Sequence, residues 1–375
     1  MQPALFRLEA LFEEYEHVPD MLVLGSSDAQ TRTTADLLHL SGETLNLDTR
    51  LGYTEPRGEP ALRDAIARMH GRAREQVLVT VGASEAIFLL LHALDLEDAR
   101  VLVCTPAYPS IPEMARNAGA RIEAHPFPEG DDFRPDVEVL AARLANANPP
   151  YACVFLNSPH NPTGRVLQTA ALLRIFDAAY RAGTHVIVDE VMTGIFAGQT
   201  ERVPSAAYLS EKAIVIGNVS KSLGLGGLRI GWIVAPVEII DRCAHWRFYT
   251  TISPPAIVQQ LARIAVEHRA HLLAENESVV RTNHQLFAEW CARHPDALQL
   301  LPWEGGTVVL ARLTNGETDE VFARRMATDA RVFVVPCATF DLPGYLRIGL
   351  GMASDDFRTA LARMEPLLFE SKMRR

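Results

Sequence analysis

Short apolar runs alternate with segments of helical periodicity through the first two-thirds of the chain. Residues 101–104, 151–156 and 186–188 are continuously apolar and end at turn-forming residues, which is typical of buried strands. Between such runs, residues 82–94 and 170–181 carry the apolar spacing of helices. Because strands that are apolar on both faces need helices to cover them, the pattern predicts an α/β fold: a mostly parallel sheet with helices on both faces.

The pattern changes after residue 232. Residues 255–293 predict long helical sequence with a break near residues 274–277, and two or three strands and a final helix over residues 355–369 follow. This succession predicts a second, smaller α+β domain, joined by an N-terminal segment that begins with a short amphipathic helix. The predicted domains are residues 40–250 for the large one and residues 1–39 together with residues 251–375 for the small one.

The composition is that of an ordinary globular protein, with 48% hydrophobic and 22% charged residues among 375. A formal net charge of −10 argues against nucleic acid and anionic membranes as partners, and no apolar run reaches membrane-spanning length. The five cysteines are widely spaced and odd in number, which favours free thiols in a reducing cytoplasm. His268 and His271 lack a third ligand, so we expect no metal site.

A lysine lies in a glycine-rich turn between two apolar runs. Lys221 follows Ser220, and Arg229 lies eight residues further on. A lysine amine attacks carbonyl groups once its pKa is lowered, while a guanidinium and a hydroxyl suit a phosphate. Together these residue types suggest pyridoxal phosphate held as a Schiff base, although a solvated surface lysine is the alternative. A P-loop is excluded because Ser220 stands where that motif needs glycine.

Other polar residues follow predicted strands, where ligands bind in parallel sheets. Ala83 and Ser84 open a helix and could hold a phosphate on free backbone N–H groups. Asp189 could keep a pyridine nitrogen protonated, or it could be a helix cap or salt-bridge partner. Tyr108 could stack on a ring or pack in the core, and Asn161 could bond a phenolic oxygen or organise a turn.

These stretches resemble the class I/II aminotransferases, which are fold-type I pyridoxal-phosphate enzymes. The resemblance runs from Gly52-Tyr53 to Leu346-Arg347, and its most specific parts are residues 157–164 (NSPHNPTG) and Ser220-Lys221 with Arg229. It implies a homodimeric aminotransferase that acts on a free L-amino acid and a 2-oxo acid.

The resemblance also implies a role for each candidate residue. Lys221 would bind the cofactor and move the substrate proton, and Asp189 would pair with the pyridine nitrogen. Arg347 would clamp the substrate α-carboxylate, for which a bidentate fork is suited, with Asn161 beside it. The other implied cofactor contacts are Ala83, Ser84, Ser220 and Arg229 at the phosphate, Asn161 at the phenolic oxygen, Tyr108 on the ring, and Tyr53 at the phosphate of the partner subunit.

The sequence departs from the family pattern after the aspartate strand. Met192 stands where the family usually has a tyrosine that bonds the phenolic oxygen, and a thioether cannot donate a hydrogen bond. The alternative is therefore a pyridoxal-phosphate lyase or cyclase of the same fold, acting by β- or γ-elimination, such as a hydroxyarginine cyclase. A non-enzymatic sensor module is a third, weaker hypothesis. Asp28 follows an apolar run and is expected to face the cleft and favour a cationic side chain.

Overall fold

The computed structural model describes residues 3–372, with side chains described through Leu368. The strands are β1 (Val77–Thr80), β2 (Arg100–Thr105), β3 (Arg121–Pro126), β4 (Cys153–Asn157), β5 (His185–Asp189), β6 (Ile214–Asn218), β7 (Gly231–Val234), β8 (Leu298–Leu300), β9 (Val308–Leu313), β10 (Val335–Pro336) and β11 (Tyr345–Gly349).

The α-helices are α1 (Arg7–Tyr15), α2 (Thr34–Ser41), α3 (Pro60–His70), α4 (Gly82–Ala93), α5 (Ser110–Asn117), α6 (Val137–Ala145), α7 (Thr169–Arg181), α8 (Ala206–Leu209), α9 (Val237–Arg247), α10 (Ala256–Glu267), α11 (Arg269–Arg293), α12 (Asp319–Arg325) and α13 (Ser354–Met364). None of the helices within residues 3–372 is both long enough and apolar enough to cross a membrane.

The large sheet has seven strands in the order β1-β7-β6-β5-β4-β2-β3. The strands from β6 to β3 are parallel to one another, and β7 runs antiparallel to both of its neighbours. Successive residues face opposite sides, so Leu102 and Val154 join one buried cluster while Val101 and Phe155 join another. Both faces are thus covered, and the prediction of a mostly parallel sheet between helices is confirmed.

A second, antiparallel sheet has the order β10-β11-β9-β8 and packs with the C-terminal helices around its own apolar cluster. This is the predicted smaller α+β unit. The helix α10 packs against α2 and α3, so helices from the middle and the start of the chain meet beside the large sheet. The exact division into residues 40–250 and residues 1–39 with 251–375 stays a prediction.

The long helical region is interrupted at a different place from the predicted one. The break lies at His268, between α10 and α11, and residues 274–277 lie inside α11. The polar residues at positions 275–277 do not end the helix, because two of them have partners on neighbouring elements. Asn276 donates to the backbone oxygen of Ser222 (2.8 Å), and Glu277 pairs with Arg202 (2.7 Å), so these buried polar residues attach the helix to its neighbours.

The segment of residues 24–30 passes between the two sheets at very short range. The backbone N–H of Gly349 donates to the backbone oxygen of Leu24 (2.7 Å), and the backbone N–H of Ala29 donates to the backbone oxygen of Lys221 (2.9 Å). A Cβ added at Gly349 would overlap the carbonyl oxygen of Ser26, and one at Gly224 would overlap that of Gln30. Glycine is therefore needed here because the backbones approach so closely. All five cysteines are buried elsewhere in the fold as free thiols.

We predict that Gly349→Ala lowers the free energy of unfolding by about 2 kcal/mol, because the methyl group must displace the Ser26 backbone. The measurement is urea unfolding followed by circular dichroism. Gly130→Ala is the matched control, since Gly130 is exposed and a Cβ there would meet nothing within 4 Å. Equal stabilities for the two variants would contradict the close crossing.

Candidate functional site

A cavity of about 560 Å³ opens at the carboxyl edge of the large sheet. Asn157, Asp189 and Asn218 are the last residues of β4, β5 and β6, and all three line it. The parallel strands bring them together because their carboxyl ends share one edge. The cavity also collects the predicted site residues other than Tyr53, namely Ala83, Ser84, Tyr108, Asn161, Asp189, Ser220, Lys221, Arg229 and Arg347.

Lys221, the predicted reactive lysine, lies in the loop that follows β6. The side-chain oxygen of Asn218 accepts from the backbone N–H groups of Ser220 (3.2 Å) and Lys221 (3.4 Å), which shapes the turn. The Lys221 Nζ atom lies 2.6 Å from Asp28 Oδ1, and each of these side chains is about one-third exposed. Asp28 therefore faces the cleft, as predicted. In this structure the Asp28 carboxylate pairs with the Lys221 amine.

Asp189 presents a buried carboxylate to the cavity. Its Oδ1 accepts from the backbone N–H of Val191 (3.0 Å). Burial raises the pKa of Asp189 to about 6, although the Val191 N–H and the nearby Lys221 favour the charged form. The next residue, Glu190, points elsewhere and accepts from Ala206 N at the start of α8 (2.6 Å). A buried acid of this kind can hold a proton on a ligand nitrogen.

The start of α4 and Arg229 together form a cradle with the chemistry that an anion needs. The first backbone N–H groups of α4 have no intrahelical acceptors, and the side chain of the N-cap residue, Val81, accepts none of them, although Glu85 Oε2 accepts from the backbone N–H of Val81 itself (2.6 Å). Gly82 has φ +75°, and a Cβ there would lie 2.7 Å from Arg229 Nη2, so glycine lets the guanidinium approach. With the hydroxyls of Ser84 and Ser220 on the cavity wall, this cradle suits a phosphate.

Arg347 is a buried cation at the small-sheet side of the cavity. It is 1% exposed, donates from Nη1 to Asn161 Oδ1 (3.1 Å) and from Nη2 to Gly25 O (2.8 Å). Its Nε has no hydrogen-bond partner, and it forms no ion pair within residues 3–372. Burial lowers the pKa of Arg347, and a carboxylate ligand would supply the missing counter-charge.

The N-terminal helix α1 covers the cavity from the other side. The Tyr108 hydroxyl donates to Glu9 Oε1 (2.8 Å), and the Phe6 ring meets the Tyr108 ring edge-on at 5.4 Å. Burial, and then the Glu9 charge, raises the pKa of Tyr108. Glu9, Glu16 and Asp28 all line the cavity, so its wall carries carboxylates as well as the arginines.

Sequence reasoning missed several residues that line the site. Asn157 and Asn218 had a signal, since each is polar at the end of an apolar run, but neither was given a role. Glu9 had no signal, because it lies on α1, far along the chain from every motif. Tyr53 is 84% exposed and does not line the cavity of its own chain, so its predicted role toward a partner subunit stays a prediction.

These residues fit pyridoxal phosphate in the chemistry of each donor. The cradle at α4 could take a phosphate, Asp189 could pair with a protonated ring nitrogen, and Lys221 could supply the amine that links the aldehyde. Asn161 keeps its amide NH₂ group available, because its oxygen already faces the Arg347 guanidinium, which can only donate.

Comparisons with known proteins agree with this chemistry. The chain is 29% identical to capreomycidine synthase from Streptomyces vinaceus over 81% of this chain and 78% of that protein. It is 27% identical to the arginine–pyruvate transaminase of Pseudomonas aeruginosa, covering 93% of this chain and 90% of that one. The solved structure of the PLP-dependent cyclase OrfR superposes with a TM-score of 0.91 at 28% identity, over 99% and 98% of the two chains.

The profile described as "Aminotransferase class I and II" matches residues 19–364, which is most of the chain. The predicted fold type and the predicted cofactor are therefore confirmed, and the protein is a pyridoxal-phosphate-dependent enzyme. The chain belongs to the class I and II aminotransferase family.

Proposed function

We propose that this enzyme transfers the amino group of a free L-amino acid with a cationic side chain to a 2-oxo acid. The observation that carries the proposal is the position of the Lys221 amine, which lies 2.6 Å from the Asp28 carboxylate in the cavity that Asp189 and Arg347 also line. When bound, pyridoxal phosphate supplies a ring that withdraws electron density from the substrate Cα.

The chain's own residues would hold that cofactor at separate points. The start of α4 (Ala83 and Ser84), Ser220 and Arg229 would bind its phosphate, and the Tyr108 ring would pack on its face. Asp189 would keep the ring nitrogen protonated, since a carboxylate buried there is stabilised by a cationic partner. Lys221 would link to the cofactor and, once displaced by substrate, would take the proton from the substrate Cα.

Arg347 would bind the α-carboxylate of the amino acid. It is buried, it is positively charged, and its Nε is unpartnered among the described residues. Bidentate pairing with a carboxylate would satisfy this group and fix the orientation of the substrate. Asn161 would hold the Arg347 guanidinium in place by accepting its hydrogen bond, and its NH₂ group would donate to the phenolic oxygen of the cofactor.

Asp28 would select the substrate side chain. In the structure its carboxylate pairs with the Lys221 amine. While that amine is linked to the cofactor it no longer pairs with Asp28, so Asp28 would then attract a cation on the incoming substrate. Glu9 and Glu16 also line the cavity and add negative charge to its wall. The name of the arginine–pyruvate transaminase, one of the relatives, is consistent with such a substrate.

We also propose that the enzyme works as a homodimer in the cytoplasm. Tyr53 is exposed beside the exposed apolar residues Leu47 and Leu51, which suits a surface that a second copy covers. From there Tyr53 would reach the phosphate of the partner subunit. The free, buried cysteines are compatible with a reducing compartment.

A second candidate function is elimination or cyclisation on the same cofactor. The observation that favours it is Met192, which is buried, lines the cavity and cannot donate a hydrogen bond. Two of the relatives are named as a capreomycidine synthase and a cyclase. The absence of a tyrosine at this position would change how tightly the phenolic oxygen is held.

The absorption spectrum of the bound cofactor separates the two functions. We expect a basic L-amino acid, added without any 2-oxo acid, to bleach the cofactor band in one turnover, and a 2-oxo acid to restore it. If the band instead recovers unaided while product accumulates, the enzyme is a lyase or cyclase. No bleaching with any amino acid, although the cofactor is bound, would contradict both proposals.

We predict that Asp28→Asn lowers kcat/KM for basic amino acids relative to neutral ones by about 10- to 100-fold, the size of a lost charge-assisted contact. The ratio is the readout because removal of the Lys221 partner affects both substrate classes alike. Asp241→Asn is the control, since Asp241 pairs with Arg57 at the surface. An unchanged ratio in Asp28→Asn would remove the role of Asp28 in selection.

We predict that Asp189→Asn stabilises the cofactor-free protein above pH 6 while abolishing most activity. The folded-state pKa of about 6 lies above the ordinary value of 3.8, so the folded state binds the proton more tightly than the unfolded state does. Stability is therefore lost as pH rises through this range. The variant should be about 2 kcal/mol more stable than the parent at pH 8 and equal to it near pH 4.

Thermal unfolding of the cofactor-free proteins at both pH values measures this difference. Asp64→Asn is the control of opposite sign, because pairing with Arg74 lowers the pKa of Asp64. That variant should be less stable than the parent at pH 8. If Asp189→Asn is less stable than the parent at pH 8, the prediction is wrong. Val191 and Lys221 would then stabilise the Asp189 carboxylate by more than burial costs.

A further inference from the structure

Asn157 joins two groups of the site that sequence reasoning treated separately. It lies opposite Asp189 in the parallel register of β4 and β5. Its Nδ2 donates to the backbone oxygen of Asp189 (3.0 Å), and its Oδ1 accepts from the backbone N–H of Asn161 (2.6 Å). A carbonyl can only accept and an N–H can only donate, so the orientation of this amide is fixed.

The contacts continue from Asn161 to the small-sheet side of the cavity. Asn161 Oδ1 accepts from Arg347, and Arg347 donates to Gly25 O. Asn157 is thus a side-chain link between the strand that carries Asp189 and the turn that carries Asn161, beside the backbone N–H of Ser158, which also donates to the Asp189 backbone oxygen (3.0 Å). Its side chain lines the cavity but already uses one donor and one acceptor on backbone groups.

We propose that Asn157 is a positioning residue that sets the separation between the Asp189 carboxylate and the Asn161 amide. Through Asn161 it controls how strongly the phenolic oxygen of the cofactor is held. The proposal rests on the roles proposed above for Asp189 and Asn161. It assigns Asn157 no contact with the reacting atoms.

Met192 increases the dependence of the phenolic oxygen on the position of the Asn161 amide. A tyrosine at that place would offer a second donor to the phenolic oxygen, whereas the buried thioether of Met192 offers none. The oxygen then depends more heavily on the Asn161 amide, and hydrogen bonds weaken steeply as their geometry worsens. A small displacement of the Asn161 turn should therefore have a measurable effect on the bound cofactor.

That effect can be read as the pH midpoint at which the visible band of the bound cofactor changes. A donor to the phenolic oxygen stabilises its negative charge and competes with the proton on the nitrogen that links Lys221 to the cofactor. Loss of the donor therefore raises the midpoint. We expect Asn157→Leu, which keeps the size of the side chain but loses both hydrogen bonds, to raise it by about 0.5 to 1 pH unit.

A double-mutant cycle separates positioning from general loosening of the fold. Asn161→Ala removes the donor directly and should raise the midpoint by at least as much as Asn157→Leu. If Asn157 acts through Asn161, the double variant should have the midpoint of Asn161→Ala alone. Shifts that add in the double variant would overturn the proposal.

The matched control is Asn283→Leu. Asn283 is fully buried, and its Nδ2 donates to the backbone oxygens of Leu350 (2.9 Å) and Met352 (2.7 Å), away from the cavity. This variant should lower the melting temperature of the cofactor-free protein and leave the midpoint unchanged. A shift equal to that of Asn157→Leu would mean that any loss of buried hydrogen bonds moves the midpoint, and the proposal would fail.

The outcomes also distinguish this proposal from the roles on which it rests. If Asn161→Ala raises the midpoint and Asn157→Leu does not, Asn161 keeps its role and Asn157 has no positioning function. An unchanged midpoint in Asn161→Ala would contradict both the role of Asn161 at the phenolic oxygen and the positioning function of Asn157. Should Asn157→Leu fold poorly, Asn157→Ser is measured instead, because its shorter side chain cannot bridge both backbone groups and should shift the midpoint in the same direction.

Discussion

The close crossing of residues 24–30 between the two sheets is the constraint on which the site depends. This segment accepts hydrogen bonds from Gly349, the last residue of β11, and from the Arg347 side chain, and Ala29 within it donates to the backbone oxygen of Lys221. Asp28 is therefore placed against the lysine by backbone contacts on both sides. A side chain at Gly349 or Gly224 would push these parts away from one another. The cavity keeps its shape because hydrogen bonds and close backbone packing hold three distant parts of the chain together.

The buried charges of the site follow from that arrangement. Arg347, Asp189 and Lys221 lie in one cavity, yet only Lys221 and Asp28 form a close ion pair there in the described structure. Burying a charge without a partner is costly, and the pKa shifts of Asp189 and Arg347 express that cost. A bound cofactor and an amino acid would bring opposite charges to both places. The site is thus costly when empty and complementary when filled.

The sequence predicted the parts of the fold and site that local pattern controls. Continuous apolar runs marked strands buried on both faces, and the residues that end them, such as Asp189, meet at one sheet edge by topology alone. The break in the long helix was misplaced because the polarity of Asn276 and Glu277 reflects tertiary partners that a sequence does not show. Glu9 was missed for the same reason, since its place above the cavity depends on where α1 packs.

The five buried thiols have a practical consequence. Burial raises the pKa of each, to about 12 for Cys104, Cys153, Cys243 and Cys291, so hardly any thiolate is present near neutral pH. The native protein should therefore react slowly with maleimides and similar reagents without any cysteine being replaced. One cysteine introduced on the surface, for example by Gly130→Cys at an exposed position with open space around it, would carry a fluorophore or spin label almost alone. Distances between subunits could then be measured in solution on an otherwise natural chain.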